Sequence, residues 1–243
     1  MKRMMKRSSM LLLLTIIAVS LLSACGDKPQ AEQTPGGAVA NEQGKTGSST
    51  EQPSSNSKDS SSKPTKSWSE PPKMVIDPTK NYVAKVKTNK GEFSIELFAK
   101  EQPQTVNNFV FLANEKFYDG VTFHRIIESF MVQTGDPLGT GAGGPGYTIK
   151  DEYNVKRSYE PGVVAMARTM APDSAGSQFF ICTGADAAGL DQNPTYAIFG
   201  KIKDGMDIVT SIAKTPVESN PDTGEVSKPA SEIKIESVTI ETT

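Results

Sequence analysis

Residues 117–136 read FYDGVTFHRIIESFMVQTGD, and two more runs share their unusual density of apolar and polar side chains: GVVAMARTMAPDSAGSQFFICT at 162–183 and LDQNPTYAIFGK at 190–201. In the first run, strand alternation places Phe123, Arg125 and Ile127 on one face and His124 on the other. A cation flanked by apolar residues on a half-buried strand needs an acceptor or a ligand. Arg125 is therefore the first candidate functional residue.

Working outward, short strands are expected at Thr122–Ile126, Phe130–Thr134, Val163–Arg168, Gln178–Thr183 and Tyr196–Ile202. Upstream, Tyr82–Thr88 and Glu92–Phe98 alternate around an Asn89-Lys90-Gly91 turn, which is a hairpin signal. Pro103 opens a helix whose apolar face carries Val106, Phe109, Val110, Ala113 and Phe117. A second helix is expected over Gly205–Ala213 with Asp204 as N-cap, and a last strand over Glu232–Glu241 with an irregularity near Ser237. Eight strands and two helices predict a mainly β fold: a closed, eight-stranded antiparallel barrel capped by two α-helices, which would leave no exposed edge.

This domain, residues 79–243, is only part of a 243-residue chain with a formal net charge of −2. Residues 1–24 hold Lys2, Arg3, Lys6 and Arg7 and no acid, and Met10–Leu22 is mostly apolar. A helix of that length reaches only about 20 Å, short of a roughly 30 Å hydrocarbon core, so it reads as a secretory signal. Leu22-Ser23-Ala24-Cys25 resembles the lipobox of bacterial lipoproteins, which implies that Cys25 carries the lipid and becomes the mature N-terminus. The alternative is ordinary cleavage after Ala24 with Cys25 incidental. Residues 25–78 are rich in Ser, Gln, Thr, Lys, Pro and Gly, with almost no large apolar residue before Trp68, and are expected to form a disordered tether. Trp68 itself is expected to be an isolated, exposed aromatic. The expected location is the extracytoplasmic face of the cell membrane. The balanced charge argues against nucleic acid as a partner. One His and two Cys argue against a zinc site, and Cys182 within FFICT reads as a small core residue.

The segments FHRII, FMVQ and AGSQFFI, in this order and spacing, resemble the cyclophilin family of peptidyl-prolyl cis-trans isomerases across residues 80–242. The resemblance implies the barrel fold and an isomerase acting on X-Pro bonds of proline-containing, folding polypeptides. It implies Arg125 as the catalytic residue. It also implies a proline pocket of Phe130, Met131, Phe180 and Leu190, with Gln133 hydrogen-bonding substrate and Ala167, Arg168, Gln178 and Tyr196 lining the groove. No metal or cofactor is implied, because rotation about an amide makes and breaks no bond, and the chain is expected to be a monomer.

The sequence departs from the commonest family pattern at Gly189, where tryptophan is frequent, at Tyr196, where histidine is frequent, and at Arg168, where asparagine is common. Residues 192–195 look like an extended link. Two rival functions remain at this point. One is a non-catalytic holdase or scaffold module gripping proline segments in the same pocket. The other is a hydrolase built from His124, Ser177 and Asp136, which the absence of a G-x-S-x-G elbow disfavours. The glycine run 135–146 lacks a G-K-[ST] ending and reads as a surface loop flanking the groove rather than a phosphate cradle.

Overall fold

A computed structural model describes residues 66–153 and 157–243. The leader, Cys25 and most of the expected tether lie outside the described residues. Among the described residues no helix is long and apolar enough to cross a membrane.

The strands are β1 (Tyr82–Thr88), β2 (Gly91–Leu97), β3 (Arg125–Ile127), β4 (Met131–Thr134), β5 (Val163–Met166), β6 (Phe179–Cys182), β7 (Ile198–Asp204), β8 (Val217–Ser219), β9 (Val226–Pro229) and β10 (Ile235–Thr242). The helices are α1 (Pro103–Asn114) and α2 (Met206–Ala213). Eight strands form one antiparallel sheet in the order β10-β1-β2-β7-β5-β6-β4-β3. The bulge expected near Ser237 is present, since Lys87 pairs with Ser237 but Thr88 with Ile235.

The expected closed barrel is not found; the sheet curls into a half-barrel. Its end strands meet only through the single bridge Thr122–Lys234 and a few flanking bonds, such as Phe123 N–H to the Ile233 carbonyl at 2.9 Å. The expected strand from Thr122 begins instead at Arg125, leaving Phe123 and His124 outside any ladder. The period-two pattern breaks there. Phe123 turns into the main core, Arg125 faces outward, and His124 borders the same cleft as Arg125 rather than the opposite face.

Two apolar layers explain why β5 and β6 are buried along their whole length. One side of the sheet supplies Val132, Val164, Met166, Phe179 and Ile181 to the main core. There Phe179 meets Phe109, Tyr118 and Phe199 at centroid distances of 5.5, 5.7 and 6.2 Å. The alternate residues Met131, Val163, Ala165, Phe180 and Cys182 form a second, smaller cluster on the outer side. Cys182 is a buried free thiol, as its apolar run suggested.

Helix α1 starts at Pro103 as expected, but its first turn is capped from afar. Glu152 accepts from the Gln104 and Thr105 N–H groups at 3.1 and 2.8 Å, placing a carboxylate where the helix dipole favours one. The N-cap of α2 is Gly205, not Asp204. Its φ of +80° suits glycine, and a Cβ there would lie 2.6 Å from the Glu92 carbonyl oxygen.

Residues 66–78, assigned by composition to the tether, pack on the domain. Trp68 lies edge-on to Phe111 at 5.2 Å and tilted on Phe117 at 6.0 Å, and its backbone N–H donates to the Pro145 carbonyl at 2.9 Å. Asn107 accepts the Val75 N–H at 2.7 Å and donates to the Lys73 carbonyl at 3.1 Å, while Ile76 is buried in the main core. The expectation of an isolated, exposed Trp68 is corrected: a single large ring found a cover that composition could not reveal.

Candidate active site

The outer cluster is where the candidate residues converge. Sheet register places Arg125 opposite Gln133, Gln133 opposite Phe180, and Phe180 opposite Ala165, one row across four strands. Residues in register share a face, so this row aligns the guanidinium, the amide and an aromatic ring. Met131, two positions from Gln133, extends the same face and is fully buried. Phe130 sits 6.5 Å from Phe180, and Tyr196 packs edge-on to Phe180 at 5.4 Å. Together Arg125, Phe130, Met131, Gln133, Ala167, Arg168, Phe180 and Tyr196 line an open cleft of ≈ 610 Å³.

Each side chain is held by its surroundings. The Arg125 guanidinium lies over the Phe130 ring, with Cζ 5.9 Å from the centroid, and its Nη1 approaches the Met131 sulfur at 3.8 Å. Gln133 donates to the Gln178 side-chain oxygen at 2.9 Å, and Gln178 in turn donates to the Gly141 and Gly143 carbonyls at 3.0 and 2.9 Å. Gln178 thus lines a neighbouring cleft of ≈ 850 Å³ under the glycine loop and ties that loop to the row. Arg168 is anchored rather than available. It donates to the carbonyls of Thr195, Thr169 and Ala171 at 2.8, 3.0 and 2.9 Å, pinning the extended link beside Tyr196. Leu190, on a 3-10 helix over Ala185–Gln192 that the sequence reading did not anticipate, packs against the outer cluster without lining the cleft.

Two groups of this wall escaped the sequence reading. Tyr159 fixes Tyr196 from behind, donating to its carbonyl at 2.7 Å and accepting its N–H at 3.1 Å. The β8–β9 hairpin, also unanticipated, brings Asn220, Thr223 and Glu225 to the cleft, and Glu225 accepts from Arg125 Nε and Nη2 at 2.7 and 2.8 Å. That fork holds the Glu225 carboxyl below its ordinary value against an opposing effect of burial. The turn-rich Asn220-Pro221-Asp222-Thr223-Gly224 between Val217 and Val226 was the available signal.

The hydrolase constellation does not assemble. Ser177 spends its hydroxyl on the Gly135 carbonyl at 2.7 Å, and Asp136 accepts from the N–H groups of Leu138, Thr140 and Gly141 at 2.7, 2.9 and 2.5 Å. Burial pulls the His124 pKa below its usual value, opposed by Asp136, which leaves a neutral ring at pH 7. What the cleft offers is an aromatic and thioether surface beside one fixed guanidinium, suited to gripping a small apolar ring without covalent chemistry.

Comparison with known proteins agrees. Residues 83–240 match the family model described as cyclophilin type peptidyl-prolyl cis-trans isomerase. A peptidyl-prolyl cis-trans isomerase of Helicobacter pylori is 45% identical over 136 residues, covering 55% of this chain and 81% of the relative. Peptidyl-prolyl cis-trans isomerase B of Streptomyces anulatus is 40% identical, covering 65% of this chain and 96% of the relative. A cyclophilin-type isomerase of Cryptosporidium parvum, whose crystal structure was determined in the presence of the dipeptide Ala-Pro, is 33% identical with a TM-score of 0.59, covering 66% of this chain and 99% of that one. The chain belongs to the cyclophilin-type peptidyl-prolyl cis-trans isomerases and is an enzyme of that class.

Proposed function

We propose that this isomerase works on the outer side of a membrane, held there by a lipid on Cys25, and accelerates X-Pro rotation in secreted or envelope proteins as they fold. The basic Lys2–Arg7 stretch, the apolar Met10–Leu22 and the Leu22–Cys25 lipobox support the anchoring. Two acyl chains hold stably where one is marginal.

The catalytic assignment rests on one observation: the row Arg125–Gln133–Phe180 shares a cleft with Phe130 and Met131. Amide resonance sets a barrier of about 18–20 kcal/mol, and X-Pro bonds interconvert in tens to hundreds of seconds unaided. The pocket holds the pyrrolidine ring, Gln133 orients the backbone, and the amide twists with little water around it. Twisting localises the lone pair on the proline nitrogen, to which Arg125 donates. That interaction is stronger in the twisted state than in the planar one, which is the condition for acceleration.

The test pairs two variants in the full chain. Arg125→Ala should stay folded while kcat/KM for a proline peptide drops at least tenfold, and Arg125→Lys should remain poor because an ammonium cannot replace the planar fork. Near-normal turnover by folded Arg125→Ala would defeat the assignment. Cys25→Ser should release the protein or leave it unprocessed in cells; unchanged membrane retention and processing would defeat the anchor.

A further inference from the structure

Arg125 stands at the start of a three-residue edge strand, and its side chain is about one-third exposed. A long side chain at such a position has many rotamers, of which few put a donor against the proline pocket. Glu225 removes that freedom. Its two carboxylate oxygens take Nε and Nη2 in a planar fork, at 2.7 and 2.8 Å, leaving Nη1 as the donor directed at Met131 and the cleft. A thioether is a weak acceptor, so Nη1 retains most of its donor capacity for a substrate.

The hairpin tip is built to deliver that carboxylate. Gly224 takes a φ of +74° and donates to the Asn220 carbonyl at 2.7 Å, and Asn220 donates to the Glu225 carbonyl at 2.7 Å. The Glu225 N–H reaches the Thr223 hydroxyl at 3.3 Å. The pair itself is about one-third exposed on both sides, a setting in which ion pairs contribute little to stability. Its consequence is geometric: 100 residues of chain separate the partners, and the contact fixes one guanidinium orientation.

We propose that Glu225 is a positioning residue for isomerisation, holding Arg125 by two nitrogens so that Nη1 stays aimed at the proline pocket. The proposal rests on the reading of Arg125 as the catalytic group. Glu225→Gln, Glu225→Asp and Arg125→Ala, singly and as the Arg125→Ala/Glu225→Gln pair, would be compared in the full chain by exchange spectroscopy on an X-Pro peptide. Thermal midpoints would verify folding. Glu225→Gln should lower kcat about five- to tenfold with KM within about twofold, because an amide cannot accept from both nitrogens. Glu225→Asp, which keeps the charge and the fork, should recover part of the loss. In the Arg125→Ala background, Glu225→Gln should have no further effect. Wild-type or faster turnover by folded Glu225→Gln overturns the proposal, the faster case marking Glu225 as a competitor for Arg125. So does a loss carried by KM alone, or one that persists in the Arg125→Ala background. Undiminished turnover by Arg125→Ala would instead remove the catalytic reading beneath it.

Discussion

Trp68 offers the sharpest test of where the folded unit begins. It is the chain's single tryptophan, and in the structure it closes over Phe111 and Phe117. An enclosed aromatic side chain buries about 150–250 Å². Because Trp68 is only partly covered, the lower figure applies, and at about 25 cal/mol per Å² it gives about 4 kcal/mol. Residual cover in the unfolded chain reduces this by roughly 10–40%, to about 3 kcal/mol. The backbone bond to Pro145 survives replacement by alanine and is not counted. For a domain of this size each kcal/mol moves the midpoint by about 2–4 °C, so Trp68→Ala should lower Tm by about 6–12 °C. The assay is far-UV circular dichroism on wild type and variant, joined in wild type by the emission of Trp68 through a urea titration. The two wild-type curves should share one midpoint, because the ring belongs to the cooperative unit. A Trp68→Ala midpoint within about 2 °C of wild type would refute the reasoning. So would emission that shifts before the circular dichroism does.

Other outcomes follow from single contacts. Glu152→Ala removes the remote cap of α1 and should cost about 1–2 kcal/mol in urea unfolding, with isomerase activity retained below the transition. Burial pushes the Cys182 thiol up to about 12, so it should resist alkylation at pH 8 until the chain unfolds. The unfolded thiol ionises above its ordinary value of 9.0 while the folded one does not, so this thiol's share of stability should hold below pH 9 and fade as pH climbs toward 12; rapid native alkylation would contradict its burial. Gly189 has open space where a Cβ would stand, so Gly189→Trp should fold normally. Cyclosporin, the macrocycle characteristic of the family, lacks an indole partner here, which commonly costs about 2–4 kcal/mol, roughly 30- to 1,000-fold. Inhibition assays should therefore show weak sensitivity that Gly189→Trp partly restores, and tight inhibition of the native chain would contradict it.

Which residues share the cleft face was more legible in the sequence than how the sheet closes. Alternation in FMVQ and FFIC assigns Met131, Gln133 and Phe180 to one face, because both strands are regular and paired on both edges. Alternation failed at Phe123–His124, where no ladder enforces it and the chain can turn Phe123 inward. Leu190 came from the resemblance alone, and it sits on a 3-10 helix that no local pattern announced, packed against the outer cluster as Phe130 and Tyr196 are. Trp68 and Ile76 lie in a segment whose composition is that of a tether. Their burial depends on a cover supplied by α1, some forty residues downstream, which no local pattern encodes.

The open sheet and the unforeseen wall of the cleft share one physical cause. Closing the barrel would require β10 to run beside β3, satisfying its free edge with ladder bonds. Those bonds stop at Phe123: Gly120, Val121 and Phe123 bond to Ile235 and Ile233, and β3 itself pairs only with β4. From Arg125 onward the edge of β3 is therefore left for another element, and β9 packs there. A short edge strand covered by a hairpin is one ordinary way of avoiding an exposed ladder. Here the covered edge begins at Arg125 itself, so the element that shields the sheet also brings Glu225 within hydrogen-bonding reach of the guanidinium. Eight strands counted from sequence suggest closure only if every strand is long enough to pair on both sides. Eight is the count of the main sheet, to which β8 and β9 add two strands the sequence reading missed; with three residues in β3 the inference of closure fails, and the residue left at the gap is the one on which the chemistry is proposed to turn.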